Sequence, residues 1–206
     1  MATKGDLTRQ RIIEKSMQLF SVKGYFNTSV AGILKATGLT KGGLYGHFKN
    51  KQEIWYAVYG ECVRIWKRIV FEGVREIADP LARIERAIEN NLKNYLGDKV
   101  FEGGCFLLNS LVDLSGQSSA MSNHVLQGFM GFSELLQAWL LEAERQGRLR
   151  EGLDLRGVAS FIVTSLNGAA PLYAASQDAA VWQQTLAQLR YYLHSLRKPP
   201  ERRAGP

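Results

Sequence analysis

"LTKGGLYGHFKNK", running from Leu39 to Lys51, puts three glycines (Gly42, Gly43 and Gly46) into five residues. Each Gly inside a helix costs roughly 0.5–1 kcal/mol relative to Ala. Yet Leu44 and Phe48 stand four apart, on one face of a helical turn, and Thr40 occupies a capping position just ahead. A Tyr, a His and several Lys surround the glycines. A short helix stripped of side chains at its start suits a segment whose backbone must come very close to something large.

Upstream, "TSVAGILKATG" reads as a helix capped by Thr28 and closed by Gly38. "TRQRIIEKSMQLFSVKG" reads as another, with Thr8 as N-cap and Gly24 past its end. Ile12, Ile13, Ser16, Met17, Leu19 and Phe20 fall on one side of it. The second and third helices, joined by "ATGLT", fit a helix-turn-helix. Gly38 supplies the left-handed turn, and Ile33, Leu39, Leu44 and Phe48 pack against Ile13, Met17 and Phe20.

The charge follows the same division. Residues 1–51 hold nine Lys/Arg against Asp6 and Glu14, a net of +7, which equals the net charge of all 206 residues. The remainder balances to zero. A basic module on a near-neutral body implies a polyanionic partner met at one end.

Beyond Lys51 the chain again reads as helix. One pattern runs from Asn50 to about Ala78, with Ile54, Val58, Cys62, Ile65, Ile69 and Val70 in a stripe and Pro80 as its stop. Another begins at Leu81 and ends at Gly97. "CFLLNSLVDLSG" is a short helix, and a long one runs from about Ser122 to Gly147. Leu155 to Ala175 is rich in small residues, and the last helix spans Asp178 to Arg197. There is no strand-like alternation of useful length. The expected class is therefore all-α with about nine helices: a basic three-helix head with a helix-turn-helix over 1–51, a helical body over 52–197, and an unstructured basic tail over 198–206. No run approaches the ~20 consecutive apolar residues of a membrane span, and the start lacks a signal-peptide core, so a cytoplasmic protein without a membrane partner is expected.

"GYFNTSVAGILKATGLTKGGLYGHFKNKQEIWYAV" resembles the DNA-binding signature of TetR-family repressors, densely so from Arg11 to Val58. "GGCFLLN" and "SLNGAAPLYAAS" are similar to one branch of that family. The resemblance implies a homodimer that binds a palindromic double-stranded operator and is released by a small-molecule effector. It implies phosphate contacts from Thr28, Tyr45, His47 and Lys51, with Ser29 in the same motif. Thr40 and Lys41 would sit at the major groove, and Gly42 and Gly43 where the helix meets DNA. Gly at both 43 and 46 leaves base reading to Lys41, Tyr45 and DNA shape.

For the body, the resemblance implies a dimer interface on the last two helices, carried here by Phe161, Leu166, Leu172, Leu186, Leu189, Tyr192, Leu193 and Leu196. It also implies a pocket, for which Trp66, Tyr95, Cys105, Phe106, Asn109, Phe129, Trp139 and Asn167 are the candidates, with His124 beside them. Amides on apolar stretches need partners, and a ligand can be one. The apolar balance favours a hydrophobic or aromatic effector.

No P-loop, GxGxxG, HExxH, Cys/His metal spacing or acidic cluster is present, so no catalytic residue, metal or cofactor is expected. Two alternatives remain open at this level. A head of this kind also suits a protein of chromosome organisation. Cys105, after Gly-Gly at a helix start, also suits an electrophile or redox sensor, because helix-terminal N–H groups lower a thiol pKa. Cys62, on an apolar stripe, reads as core.

Overall fold

A computed structural model of the chain describes residues 3–101 and 103–199. Among these, it forms nine α-helices and one π-helical segment, with no strand. In order these are α1 (Lys4–Lys23), α2 (Val30–Thr37), α3 (Lys41–Tyr45), α4 (Lys51–Val70), α5 (Pro80–Glu89), the π segment (Asn90–Gly97), α6 (Phe106–Leu114), α7 (Ser119–Arg145), α8 (Leu155–Ser176) and α9 (Ala180–Leu196). The chain divides into two compact units. The first takes residues through Arg68 together with Lys99–Leu126; the second takes Ile69–Asp98 and everything from Gln127.

In the first unit, α1 starts a turn earlier than Thr8 would place it. Thr3 is the N-cap, and it forms a capping box with Asp6: the Asp6 N–H donates to Thr3 Oγ1, and Thr3 N donates to the Asp6 carboxylate. Thr8 is inside the helix, its hydroxyl donating to the Lys4 carbonyl. Ile12, Ile13 and Phe20 bury one face of α1 with Ile33, Leu44 and Phe48 of the following helices. Trp55 and Tyr59 of α4 stack at 5.3 Å.

In the second unit, α4 ends at Val70 instead of running to Ala78. Irregular turns follow, with Gly73 at φ 66°. The buried amide of Asn90 donates to the Val70 and Glu72 carbonyls, which the helix end leaves without intrahelical donors. Pro80 starts α5 rather than stopping its predecessor, because Pro at the first helical position gives up only an N–H that would be unpaired. Asp79 caps that helix and also meets Arg148 and Arg197 at 3.2 and 3.3 Å.

Arg190 of α9 bonds Glu85 and Glu89, tying α9 to α5. Lys198 N donates to Arg148 O, so the start of the expected tail is held; from Pro200 it lies outside the described residues. By length and composition α8 matches a membrane span, but its buried side faces α9 and the π segment.

Candidate nucleic-acid interface

Two hydroxyl caps and one glycine build the turn between α2 and α3. Ser29, not Thr28, caps α2 by accepting from Gly32 N at 3.0 Å. Thr40 caps α3 by accepting from Gly43 N at 3.2 Å. Gly38 sits between them in the left-handed conformation, φ 67° and ψ 20°. Leu44 and Phe48 are sealed inside, so the opposite side of α3 faces out. Tyr45 is 47% exposed there, and Lys41 and Gly42 are exposed beside it. A methyl group on Gly42 would meet nothing within 4 Å, and one on Gly43 would make only ordinary contacts with Thr40 and Leu39. Nothing among the described residues requires Gly at these two positions. His47 is half-buried at the end of the segment.

Two of the candidate phosphate contacts turn inward. Thr28 is buried, and its hydroxyl donates to the Gly24 carbonyl at 2.7 Å. Lys51 Nζ donates to the carbonyls of Tyr25 and Thr28 at 2.8 and 3.0 Å and lies 4.1 Å over the Tyr25 ring. Partial burial lowers its pKa, and the nearby Asp113 carboxylate opposes that. The ammonium therefore pins the α1–α2 loop to the start of α4. Asp113 of α6 holds the same loop, accepting from Tyr25 N at 2.7 Å beside Gly24, whose φ is 75°. Nothing in the local sequence spacing of Asp113 signals this role.

The pocket candidates fall in both units. In the first, Cys105 and Phe106 are buried and Trp66 is half-buried. Asn109 is exposed, with its amide donating to the Gly103 carbonyl, so it is not the buried orphan amide expected. Exposed His124 lies edge-on to Tyr56 and Tyr59. In the second unit Tyr95 is buried, and Phe129 and Trp139 are half-buried. Trp139 sits edge-on to Phe71. The half-buried Asn167 donates to the Val163 carbonyl. Burial pushes the Cys62 thiol pKa far up, with the Glu61 carboxylate a lesser cause, and burial beside the Cys62 and Cys105 sulfurs pushes that of Tyr59 to about 12.

Of the interface candidates, Leu166, Leu186, Leu189, Leu193 and Leu196 are already buried within the second unit. Phe161 and Leu172 project from α8 at 51% and 63% exposed. Half-buried Tyr192 lies edge-on to Phe161, at 5.0 Å. Tyr191, 75% exposed, joins the outward apolar set and was not anticipated, since it lies off the leucine stripe of α9. Among the described residues no group of His, Cys, Asp and Glu is placed to hold a metal ion.

Known proteins resemble the chain in both sequence and fold. Residues 12–58 match the family described as bacterial regulatory proteins, tetR family, and residues 80–189 match the tetracyclin repressor-like C-terminal domain. The HTH-type transcriptional repressor DhaR of Mycobacterium sp. (strain GP1) is 27% identical over 78% of this chain and 79% of its own. A TetR transcriptional regulator from Chloroflexus aurantiacus J-10-FL superposes with a TM-score of 0.88 at 23% identity, covering 95% of this chain and 99% of its own. CifR, a TetR-family regulator solved with a 26 bp double-strand operator DNA, superposes at 0.75 with 17% identity, over 89% and 94% of the two chains.

Proposed function

The chain belongs to the TetR family of bacterial transcriptional regulators, and from that premise we propose that it is a cytoplasmic repressor. It binds a palindromic operator as a homodimer and is released by a hydrophobic or aromatic small molecule. The observation that carries the reading is the outward face of α3. It is a capped, glycine-opened turn that presents Lys41 and Tyr45 from a head holding the chain's whole net positive charge. Lys41 reaches a guanine edge while Tyr45, His47 and the N-terminus of α2 at Ser29 take backbone phosphate. Thr28 and Lys51 support that face from behind by fixing the α1–α2 loop.

Phe161, Leu172 and Tyr191 supply the apolar centre of the dimer interface. The effector acts by population shift, favouring a form whose two heads do not match half-sites about 34–36 Å apart. It shifts the balance only by its differential affinity, so a hundredfold preference opposes DNA binding by about 2.7 kcal/mol.

Genome-wide mapping of bound fragments, followed by titration of a recovered site with wild type and Tyr45→Ala, tests the reading. Discrete sites near promoters, and loss of binding in a variant that still melts as wild type does, are expected. Even coverage of the chromosome would favour an organising role over a repressor. Retained binding with a lowered melting temperature would show Tyr45 to be core.

A further inference from the structure

We propose that Arg9 of α1 is a further operator contact, a phosphate-binding guanidinium held against the end of the recognition segment by the ring of Phe48. The proposal rests on the DNA-binding reading above. It concerns a part of the chain ahead of residue 12, where the match to the family's DNA-binding domain begins.

Two contacts place the start of α1 beside α3. The Arg9 guanidinium carbon lies 4.8 Å from the centroid of Phe48, a residue only 2% exposed, while Arg9 itself is exposed. One turn earlier on the same face is Gly5, where a methyl group would come within 4.0 Å of His47 Cε1. Arg9 therefore lies against Phe48, one turn along α1 from the point that approaches His47, on the rim of the face proposed to meet DNA.

The charge of Arg9 is also uncommitted. Arg64, Arg83, Arg148, Arg190 and Arg197 each meet a carboxylate, whereas Arg9 enters none of the ion pairs among the described residues. The nearest acidic residue along the helix, Asp6, spends its carboxylate on Thr3 N and Thr3 Oγ1 at 2.9 and 2.8 Å. Those two bonds, chiefly the first, lower its pKa, and Arg9 adds only a lesser pull.

A ring face orders a guanidinium without neutralising it. The planar group keeps its N–H donors in its own plane, free to pair with a phosphate oxygen. An ammonium in the same place would carry the charge but not the fork geometry. The alternative role for Arg9 is to cover Phe48 and so stabilise the head, and the test must separate the two.

Binding to a mixed-sequence duplex at low salt is a sufficient probe, because a phosphate contact carries no base information. Arg9→Met keeps an apolar stem over Phe48 and removes the charge. Its affinity is expected to fall about tenfold, and its log K against log salt slope to flatten by roughly 0.9 per subunit. Its melting temperature is expected to stay near wild type, and Arg9→Lys should keep the slope. Wild-type and mutant slopes that coincide, with melting lowered in Arg9→Met, would reduce Arg9 to a cover for Phe48. An equal flattening in Arg11→Met would show only the net charge of the head, and would also overturn the assignment. Failure of the wild type to bind any duplex would instead sink the DNA-binding reading itself.

Discussion

The glycines of α3 and the glycine three residues before α6 make opposite demands on their surroundings. A methyl group at Gly42 would meet nothing within 4 Å; at Gly103 it would overlap the Ser21 carbonyl oxygen at the end of α1. Gly24 belongs with Gly103, since its left-handed backbone and the Asp113 carboxylate both exclude a side chain. Gly168 on α8 belongs with Gly42, open on its outer side. The chain's own packing accounts for the first pair and not for the second. An open glycine on a helix lowers its stability with no internal return; on the function proposed above, Gly42 leaves room for DNA at α3 and Gly168 for a second copy at α8.

Gly103→Ala should therefore do the most damage. The overlapping atom belongs to backbone, which cannot swing aside as a side chain would, and overpacking of this kind costs about 3 kcal/mol. For a chain of this size that is a melting temperature lowered by roughly 6–12 °C. Thermal unfolding followed by circular dichroism checks it, and a variant that melts with the wild type would mean the loop before α6 shifts freely off α1.

Phe161→Asp and Leu172→Asp probe the outward face of α8 instead. Both side chains are more than half exposed in the single chain, so the fold should survive either change. An unpaired carboxylate in a dimer interface is expected to raise the dimer dissociation constant at least a hundredfold, about 2.7 kcal/mol. Sedimentation equilibrium reads this directly. Leu189→Ala is the counterpart: it is buried in the single chain and should lower stability before it alters assembly.

Lys51→Met addresses the inward-turned half of the candidate site. It keeps the aliphatic stem but loses two charge-assisted hydrogen bonds to the α1–α2 loop and the contact with Tyr25. The expected loss is about 1.5 kcal/mol of unfolding free energy in urea. A phosphate contact would leave unfolding unchanged and flatten the salt dependence of DNA binding, so the two roles give different readouts.

The sequence showed the helix-turn-helix plainly because its punctuation is local: Thr40, Gly38 and the Leu44/Phe48 pair act within a few residues of where they sit. The start of α1 was harder to read. Thr3 and Thr8 are both good caps, and only the reciprocal bond with Asp6 decides between them. The end of α4 was hidden because buried Val74 prolongs the apolar pattern through turns that are no longer helical. Thr28 and Lys51 could not be oriented from the sequence, since a hydroxyl or an ammonium that suits a phosphate oxygen suits a backbone carbonyl equally well. The leucines of α9 show the same ambiguity between a core inside one chain and an interface between two. Long-range partners such as Asp113 and Tyr25, 88 residues apart, leave no periodic trace.

Gly42→Ala sharpens the comparison with the smallest energy and an opposite sign. The position is helical and open, so Ala should raise unfolding stability by about 0.5–1 kcal/mol, the ordinary difference in helix propensity. The same methyl group stands on the face where Lys41 and Tyr45 project, and there it would hold the backbone of α3 away from the groove. Stability and operator affinity should therefore move in opposite directions, with the variant melting slightly higher and binding more weakly at every salt concentration. Parallel melting curves and anisotropy titrations measure both in one preparation. If both rise together, close backbone approach is not what Gly42 is for, and the space beside it needs another occupant.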